Sequence, residues 1–372
     1  VTTRTTADTL IIGGGLIGLA CAASLARDGI TVILLDEPRR GVASPAAAGM
    51  LAPALDRADG PGQAFSVAAR ACFPTYLDWL RDGTGIAVPL NDNGILQVAL
   101  TPAGVRGLRR AMPSSAAWLD AAALHALEPD LAHALGAVHH PMDGAVDNVI
   151  LIEALRTYCA ASARVHIVRA AVLSLVLRAD AAAVRTRDGA AYTGRHVVLA
   201  AGAWAGSVAG LPRPLPVAPL RGQMLAYGPT SLRHVLFGPR GYIIPRAFAD
   251  PTDRAHSAGE TLVGATSEAV GFDTATTPEG ATKLRHVAVE ILPWLGESAP
   301  HRHWAGLRPM TPDLLPIIGA DPSEPSLLYA CGHSRNGVLM APLTGDCITA
   351  LVGGTSPPAD LAPFSIARFP PS

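Results

Sequence analysis

The chain has 372 residues, 49% of them hydrophobic and 16% charged, which excludes disorder and supplies a large core in about two domains of ~150 residues each. Lysine plus arginine (29) nearly balance aspartate plus glutamate (30), and no basic run exceeds Arg39-Arg40, so neither a nucleic-acid nor an anionic-membrane surface is expected. Glycine (37) and proline (32) are abundant without a repeat period, which fits many tight turns and not collagen.

In chain order, the first feature is an uncharged run from Thr9 to Ala26, long enough for a signal-peptide core or a short span. Asp8 precedes it, a glycine cluster interrupts it, and the next segment, GITVILLDE, reads as a buried strand. The run is therefore predicted as strand to Ile12, tight turn, and helix to about Asp28, with a second strand ending at Asp36. Its glycines, Gly13, Gly15 and Gly18, spell G-x-G-x-x-G. Gly13 permits the turn, Gly15 lets backbone approach a pyrophosphate, and Gly18 lets helix and strand pack closely. The helix N-terminus, through Leu16 and Ile17, offers unpaired N–H groups and a positive dipole end to phosphates. Asp36 lies where a carboxylate accepts bonds from ribose hydroxyls, with Glu37 beside it.

Further helices are predicted near 64–82, 101–112, 148–162, 278–292 and 337–352. Strands are predicted near 94–100, 165–168, 171–177, 196–200, 222–228, 241–245, 261–265 and 315–319. No second nucleotide fingerprint occurs; GAWAGSVAG at 202–210 has the wrong spacing. One N-terminal fingerprint leaves an NAD dehydrogenase or a flavin oxidase that passes electrons to oxygen.

Several classes are disfavoured. The single lysine, Lys283, lies in a helical stretch without a glycine-rich loop, which argues against pyridoxal-phosphate and P-loop chemistry. Cys21, Cys72, Cys159, Cys331 and Cys347 are odd in number and scattered, so neither a disulfide scaffold nor a metal site is expected and a reducing cytosol fits. No H-E-x-x-H motif occurs, and His139-His140 would face opposite sides of a strand.

The segment after Asp36, EPRRGVASPAAAGMLAP, resembles the thiamine-pathway-type glycine oxidase branch of the D-amino-acid-oxidase-like flavoproteins. So do RHVVLAAGAWAG (195–206), PLRGQML (219–225), GYIIPR (241–246), LVGATSEAVGFD (262–273), WAGLRPMTPDLLPIIG (304–319) and GHSRNGVLMAP (332–342), in order from about Asp8 to Leu351. The resemblance implies an α/β, two-domain fold. A Rossmann-like FAD-binding domain (1–84, 142–218 and 300–372) is interleaved with an antiparallel-sheet substrate domain (85–141 and 219–299). It implies FAD as cofactor and amine oxidation as reaction. Hydride leaves the substrate α-carbon for flavin N5, the imine hydrolyses, and oxygen becomes hydrogen peroxide.

The resemblance also assigns residues. Arg308 is the carboxylate clamp, because a guanidinium fork grips a carboxylate with two parallel bonds. Tyr242 assists it. Arg335 lies close to the substrate, at the mouth of a helix aimed at the flavin pyrimidine, where Asn336, Gly337 and Val338 supply N–H groups and His333 adjoins. Ser44 faces phosphate; Ala47, Ala48, Gly49 and Met50 pass the ring, Met50 also toward substrate. Val172 meets adenine, and Ala201, Gly202 and Trp204 pass the ribose-phosphate side.

Three departures from the family pattern matter. Some relatives attach flavin through a cysteine at the position of Gly306, so FAD is expected to be non-covalent here. Ser334 replaces a bulky aromatic, which would widen the pocket. Arg240 replaces a histidine and, two residues before Tyr242, would share its strand face. A second cation in a wider pocket points to an N-carboxymethyl glycine as an alternative to glycine, giving glyoxylate plus an amine or amino acid. The other readings are an FAD dehydrogenase feeding a quinone or carrier protein, a non-catalytic flavin-binding module, and an NAD dehydrogenase. The expected partners are a small amino-acid substrate and oxygen, with no metal, membrane or nucleic acid. A homo-oligomer is compatible.

Overall fold

The first strand, Thr6–Ile12, ends in four buried residues and forms the centre of a mainly parallel sheet. The computed structural model describes residues 5–55, 60–178, 181–246 and 259–370. On one side of the first strand lie Val32–Asp36 and then Val165–Arg169; on the other lies Ala191–Leu199, all parallel. The far edge of Ala191–Leu199 is shared. Leu327–Cys331 extends the parallel set, and the antiparallel pair Val172–Arg178 and Ala181–Thr186 covers the remainder. Ile317–Ala320 pairs antiparallel with Leu327–Cys331. Crossover connections with a helix between parallel strands make this a doubly wound, Rossmann-like layer.

Small side chains set its helix packing. The helix Leu16–Arg27 is buried from Gly18 to Ala26 and packs against the last helix, Gly337–Val352. A Cβ at Gly345 would stand 2.8 Å from the Ala20 carbonyl oxygen, so the two backbones meet there without a side chain between them.

The second sheet runs in the order 302–310, 218–227, 260–264, 242–246, 235–237, 95–99, 136–140, 117–120. Among the described residues, only the pairing of Val235–Phe237 with Ile95–Ala99 is parallel in this sheet. The helix Pro278–Ile291 covers one face, burying Leu284, Val287, Ala288 and Ile291. Three short strands, Met50–Leu51, Gly144–Val146 and Leu90–Asn91, form a third sheet.

The predicted helices near 64–82, 101–112 and 148–162 appear as Pro61–Thr84, Pro102–Ala111 and Asn148–Ala161. The strands Ala181–Thr186, Leu327–Cys331 and Arg302–Met310 were not predicted. Arg302–Met310 pairs along Ala218–Met224 and on to Ala226, so it belongs to the second sheet, whereas the sequence range 300–372 grouped it with the first. Its glycine, proline and arginines break the apolar alternation, and only pairing reveals it as a strand. Parts of the predicted domain ranges (1–4, 56–59, 179–180, 247–258 and 371–372) lie outside the described residues.

Candidate active site

A cavity of about 850 Å³ runs from the carboxyl ends of the parallel strands to the second sheet. At its nucleotide end, Gly13 has φ +109°, and a Cβ there would approach the Ala200 carbonyl oxygen to 2.5 Å. A Cβ at Gly18 would come within 1.8 Å of the Gly13 carbonyl oxygen. Gly18 thus acts through helix-to-turn packing and does not line the cavity, unlike Gly13, Gly15, Leu16 and Ile17. Gly14, which the motif leaves as x, is equally constrained, because a Cβ would meet the Asp36 carboxylate at 2.4 Å.

Asp36 accepts a bond from the Gly14 N–H (3.0 Å) and another from Arg156 (3.1 Å), so its carboxylate is fixed at the strand end. Ser44 Oγ accepts from the Leu16 N–H (2.9 Å), placing its hydroxyl at a helix start that has no capping side chain of its own. Glu37 pairs with Arg39 and Arg187. Val172, Ala201, Gly202 and Trp204 form the opposing wall, and Arg39 lies 5.2 Å over the Trp204 ring.

Ala47, Ala48, Gly49 and Met50 line the middle of the cavity. Two residues the sequence reading missed hold this loop. Asn148, fully buried, donates to the Ser44 carbonyl (2.6 Å), and Arg246 donates to the Ala47 carbonyl (3.4 Å) and to Asn148 Oδ1. No local motif marks Asn148, and Arg246 closes the GYIIPR block without its role being legible there; their loop partners lie more than a hundred residues away in sequence for Asn148 and nearly two hundred for Arg246.

Opposite the loop, Asn336, Gly337 and Val338 line the cavity at the start of the last helix, which has no side-chain cap. Its N–H groups and dipole give this wall a positive character. His333 is buried with Nε2 3.1 Å from Thr344 Oγ1, and burial pushes its imidazole down to about 3, so it is neutral. Ser334 is buried at φ 52°, and its hydroxyl turns back to the Gly332 carbonyl (3.3 Å). Arg335 is exposed on the same wall.

At the substrate end, Arg308 projects from the strand Arg302–Met310 and is half-buried. One guanidinium N–H donates to the Thr266 carbonyl (3.0 Å). The group lies against Gly222, where a Cβ would come 2.4 Å from its Nη2, so glycine at that position makes room for the guanidinium. Among the described residues no carboxylate pairs with Arg308. The Tyr242 hydroxyl donates to Met224 Sδ (3.5 Å) and lies near enough to Arg308 to feel its charge. Burial pushes the phenol up, partly opposed by Arg308, so it stays protonated. Phe237 stacks on Tyr242 at 6.5 Å.

Arg240 departs from expectation. It lies in the turn before the strand Tyr242–Arg246, so the shared-face argument does not apply. It borders the cavity, but its side chain is 68% exposed and bound at two points to Glu290 (2.8 and 3.1 Å).

These residues fit a flavin dinucleotide. The glycine turn leaves a cradle that side chains would fill, and two helix starts whose N-cap residues make no side-chain cap face one cavity. The volume lies high in the ~300–1,000 Å³ range of ligand pockets. A family model described as FAD dependent oxidoreductase matches residues 8–351.

The chain belongs to the FAD dependent oxidoreductase family.

Within this family it is 36% identical, over 98% of its length, to the bifunctional protein ThiO/ThiG of Synechocystis, covering 54% of that protein. The chain spans about half the length of these bifunctional relatives. It is 33% identical to the glycine oxidase of Geobacillus kaustophilus over 97% of both chains. The crystal structure of glycine oxidase from that species superposes with a TM-score of 0.87 at 30% identity, covering 99% of this chain and 100% of that one. Iminodiacetate oxidase from Chelativorans superposes with a TM-score of 0.84 at 25% identity, covering 96% and 98%.

Proposed function

We propose that the protein is an FAD-dependent amine oxidase of the glycine oxidase type. It converts glycine or an N-carboxymethyl glycine to glyoxylate and an amine, with oxygen reduced to hydrogen peroxide. The observation that carries this reading is Arg308, a half-buried guanidinium without a carboxylate partner among the described residues, held by the Thr266 carbonyl beside the protonated Tyr242 at one end of the cavity. A half-buried cation of this kind is stabilised by an anionic ligand.

Bound FAD supplies the redox step, taking a hydride equivalent from a C–H bond and returning the electrons to oxygen. The chain's own residues supply placement. Arg308 grips the carboxylate with parallel N–H bonds and Tyr242 adds a hydroxyl donor, which fixes the direction of the α-carbon. Met50, Met224, Phe237 and Ala265 make the surrounding wall apolar. Desolvation there disfavours the ammonium form, so the amine is held neutral with its lone pair available. The acids on the cavity wall, Asp36, Glu37 and Asp313, are paired with arginines, and none is needed as a base.

The N-carboxymethyl alternative is supported by the likeness to iminodiacetate oxidase and by Arg335, a second cation on the wall. Arg240 is no longer part of it. Non-covalent attachment belongs to the same reading: Gly306 lies against Ala46, and the one cysteine on the cavity wall, Cys331, is buried with its thiol pushed up to about 12, a poor nucleophile. So do a reducing, cytoplasmic setting, in keeping with five free cysteines, and a division into two units with the second reaching to about residue 310.

The test is anaerobic mixing of holoenzyme with glycine and with iminodiacetate, followed by admission of oxygen. Bleaching of the flavin band, and peroxide equal to the substrate consumed, is the expected result. Arg308→Leu should raise the KM by about 100-fold or more, since it removes two charge-assisted bonds. Bleaching without peroxide would replace the oxidase by a dehydrogenase that feeds a quinone or carrier protein, and no bleaching by either amine would end the proposal.

A further inference from the structure

Residues on opposite faces of the strands Ala218–Tyr227 and Arg302–Met310 do different work. Leu220, Gly222, Met224, Gly306 and Arg308 line the cavity. The alternate residues Arg221, Gln223 and His303 point to the rear. There Arg221, 4% exposed, binds Glu268 through Nε (2.9 Å) and Nη2 and binds Asp273 through Nη1 (2.5 Å). Gln223, fully buried, donates to Glu268 (2.8 Å) and accepts from the Thr277 N–H (2.9 Å), with His303 Nε2 3.0 Å from its carbonyl oxygen. Nothing in the proposed chemistry uses this buried polar cluster.

The segment 265–268 links it to Arg308. Ala265 and Ser267 line the cavity, while Thr266 and Glu268 face the rear. The Thr266 hydroxyl accepts from the Gln223 N–H (2.9 Å), the Thr266 N–H donates to the Gln223 carbonyl (3.2 Å), and the Thr266 carbonyl is the acceptor that holds Arg308. Glu268 is also tied by main-chain bonds in both directions to Arg221 (2.9 and 3.0 Å). Burial alone would raise the Glu268 carboxyl. The bonds from Thr266, Arg221 and Gln223 outweigh it and hold the group below its ordinary value, so it is charged and fixed.

We propose that Glu268 is a positioning residue. Braced by Arg221 behind the sheet, it holds Gln223, whose main chain is bonded to Thr266 in both directions, and the Thr266 carbonyl aims Arg308 at the substrate carboxylate. This rests on the reading of Arg308 as the carboxylate site. A guanidinium displaced by a fraction of an ångström loses the parallel geometry on which its grip depends.

The test uses holoenzyme variants Glu268→Gln and Thr266→Val, with Thr266→Ser as the conservative control. It reads KM and kcat for the amine that bleaches the flavin, the FAD content, and the affinity for acetate from the flavin spectrum. Expected is a rise of about tenfold in both KM and the acetate dissociation constant. Expected too are kcat within about twofold, unchanged FAD content, and near wild-type values for Thr266→Ser. Thr266→Val leaves the buried Arg221–Glu268 pair intact and decides the matter if Glu268→Gln does not fold. Unchanged KM and acetate affinity would overturn the proposal, as would equal loss of kcat and FAD content. Arg308→Leu separates the two levels. If it leaves acetate binding intact, the carboxylate reading itself fails; if it abolishes binding while Thr266→Val does not, only the role of Glu268 fails.

Discussion

Arg308 and Arg240 are both arginines on the cavity wall, and their surroundings give them opposite roles. Arg308 is half-buried against Gly222 and held by a neutral carbonyl, so its charge remains available to a ligand. Arg240 is exposed, and Glu290 takes both arms of its guanidinium. Exposed ion pairs contribute at most about 1 kcal/mol. Arg240→Ala should therefore change KM for glycine and for iminodiacetate together, by less than about threefold. Steady-state kinetics on both substrates check this, and a loss confined to the diacid would restore Arg240 to the binding site. The arginine of GLRP was legible as the proposed clamp through its family block, but neither the glycine beneath it nor the carbonyl beside it was, because both come from distant segments of the chain.

At the scale of elements, helices and strands with a clear apolar period were legible to within a few residues, because their backbone bonds and burial are local. The strand Arg302–Met310 was not, since its length is set by pairing with Ala218–Tyr227. The turn between Gly136–His140 and Gly144–Val146 holds Asp143, fully buried, with Oδ1 accepting from the Ala54 N–H (3.1 Å). Burial pushes its carboxyl up to about 6 from an ordinary 3.8, against main-chain bonds and Arg70. The sign follows from which state holds the proton. Below pH 3.8 both folded and unfolded chains are protonated and nothing is lost. As pH rises through about 6 the folded chain must accept a buried charge, a penalty of about 3 kcal/mol that is fully present above that value. Asp143→Asn should raise the melting temperature at pH 7.5 and match the parent near pH 4. A variant less stable at pH 7.5 would show that the charged form is needed.

At the scale of the molecule, the cavity joins segments from the first strand to the last helix, so its contents couple to stability. A ligand at about 100 times its Kd stabilises the folded state by about 2.7 kcal/mol. Removal of FAD should lower Tm on the order of 5 °C, recovered by adding FAD back. Acid precipitation should leave the yellow colour in the supernatant; colour in the pellet would mean a covalent bond. Among the described residues no helix is long and apolar enough to cross a membrane, and the uncharged run Thr9–Ala26 is divided between a strand and a helix.

The sequence by itself determined the glycine turn, the acid at the end of the second strand and the main helices, because spacing over a few residues dictates torsion angles and which side chains share a face; Arg308 stood out there only through the family resemblance of its block. Only the tertiary structure decided that Gly14 is as constrained as its neighbours, that Gly18 packs a helix and avoids the cavity, and that Asn148 and Arg246 hold the central loop. It alone paired Arg240 with Glu290 and set Glu268 behind Arg308. The polar contacts among these depend on strand register and helix docking across 22 to 199 residues of chain, and no local pattern encodes which distant partner a polar side chain will meet.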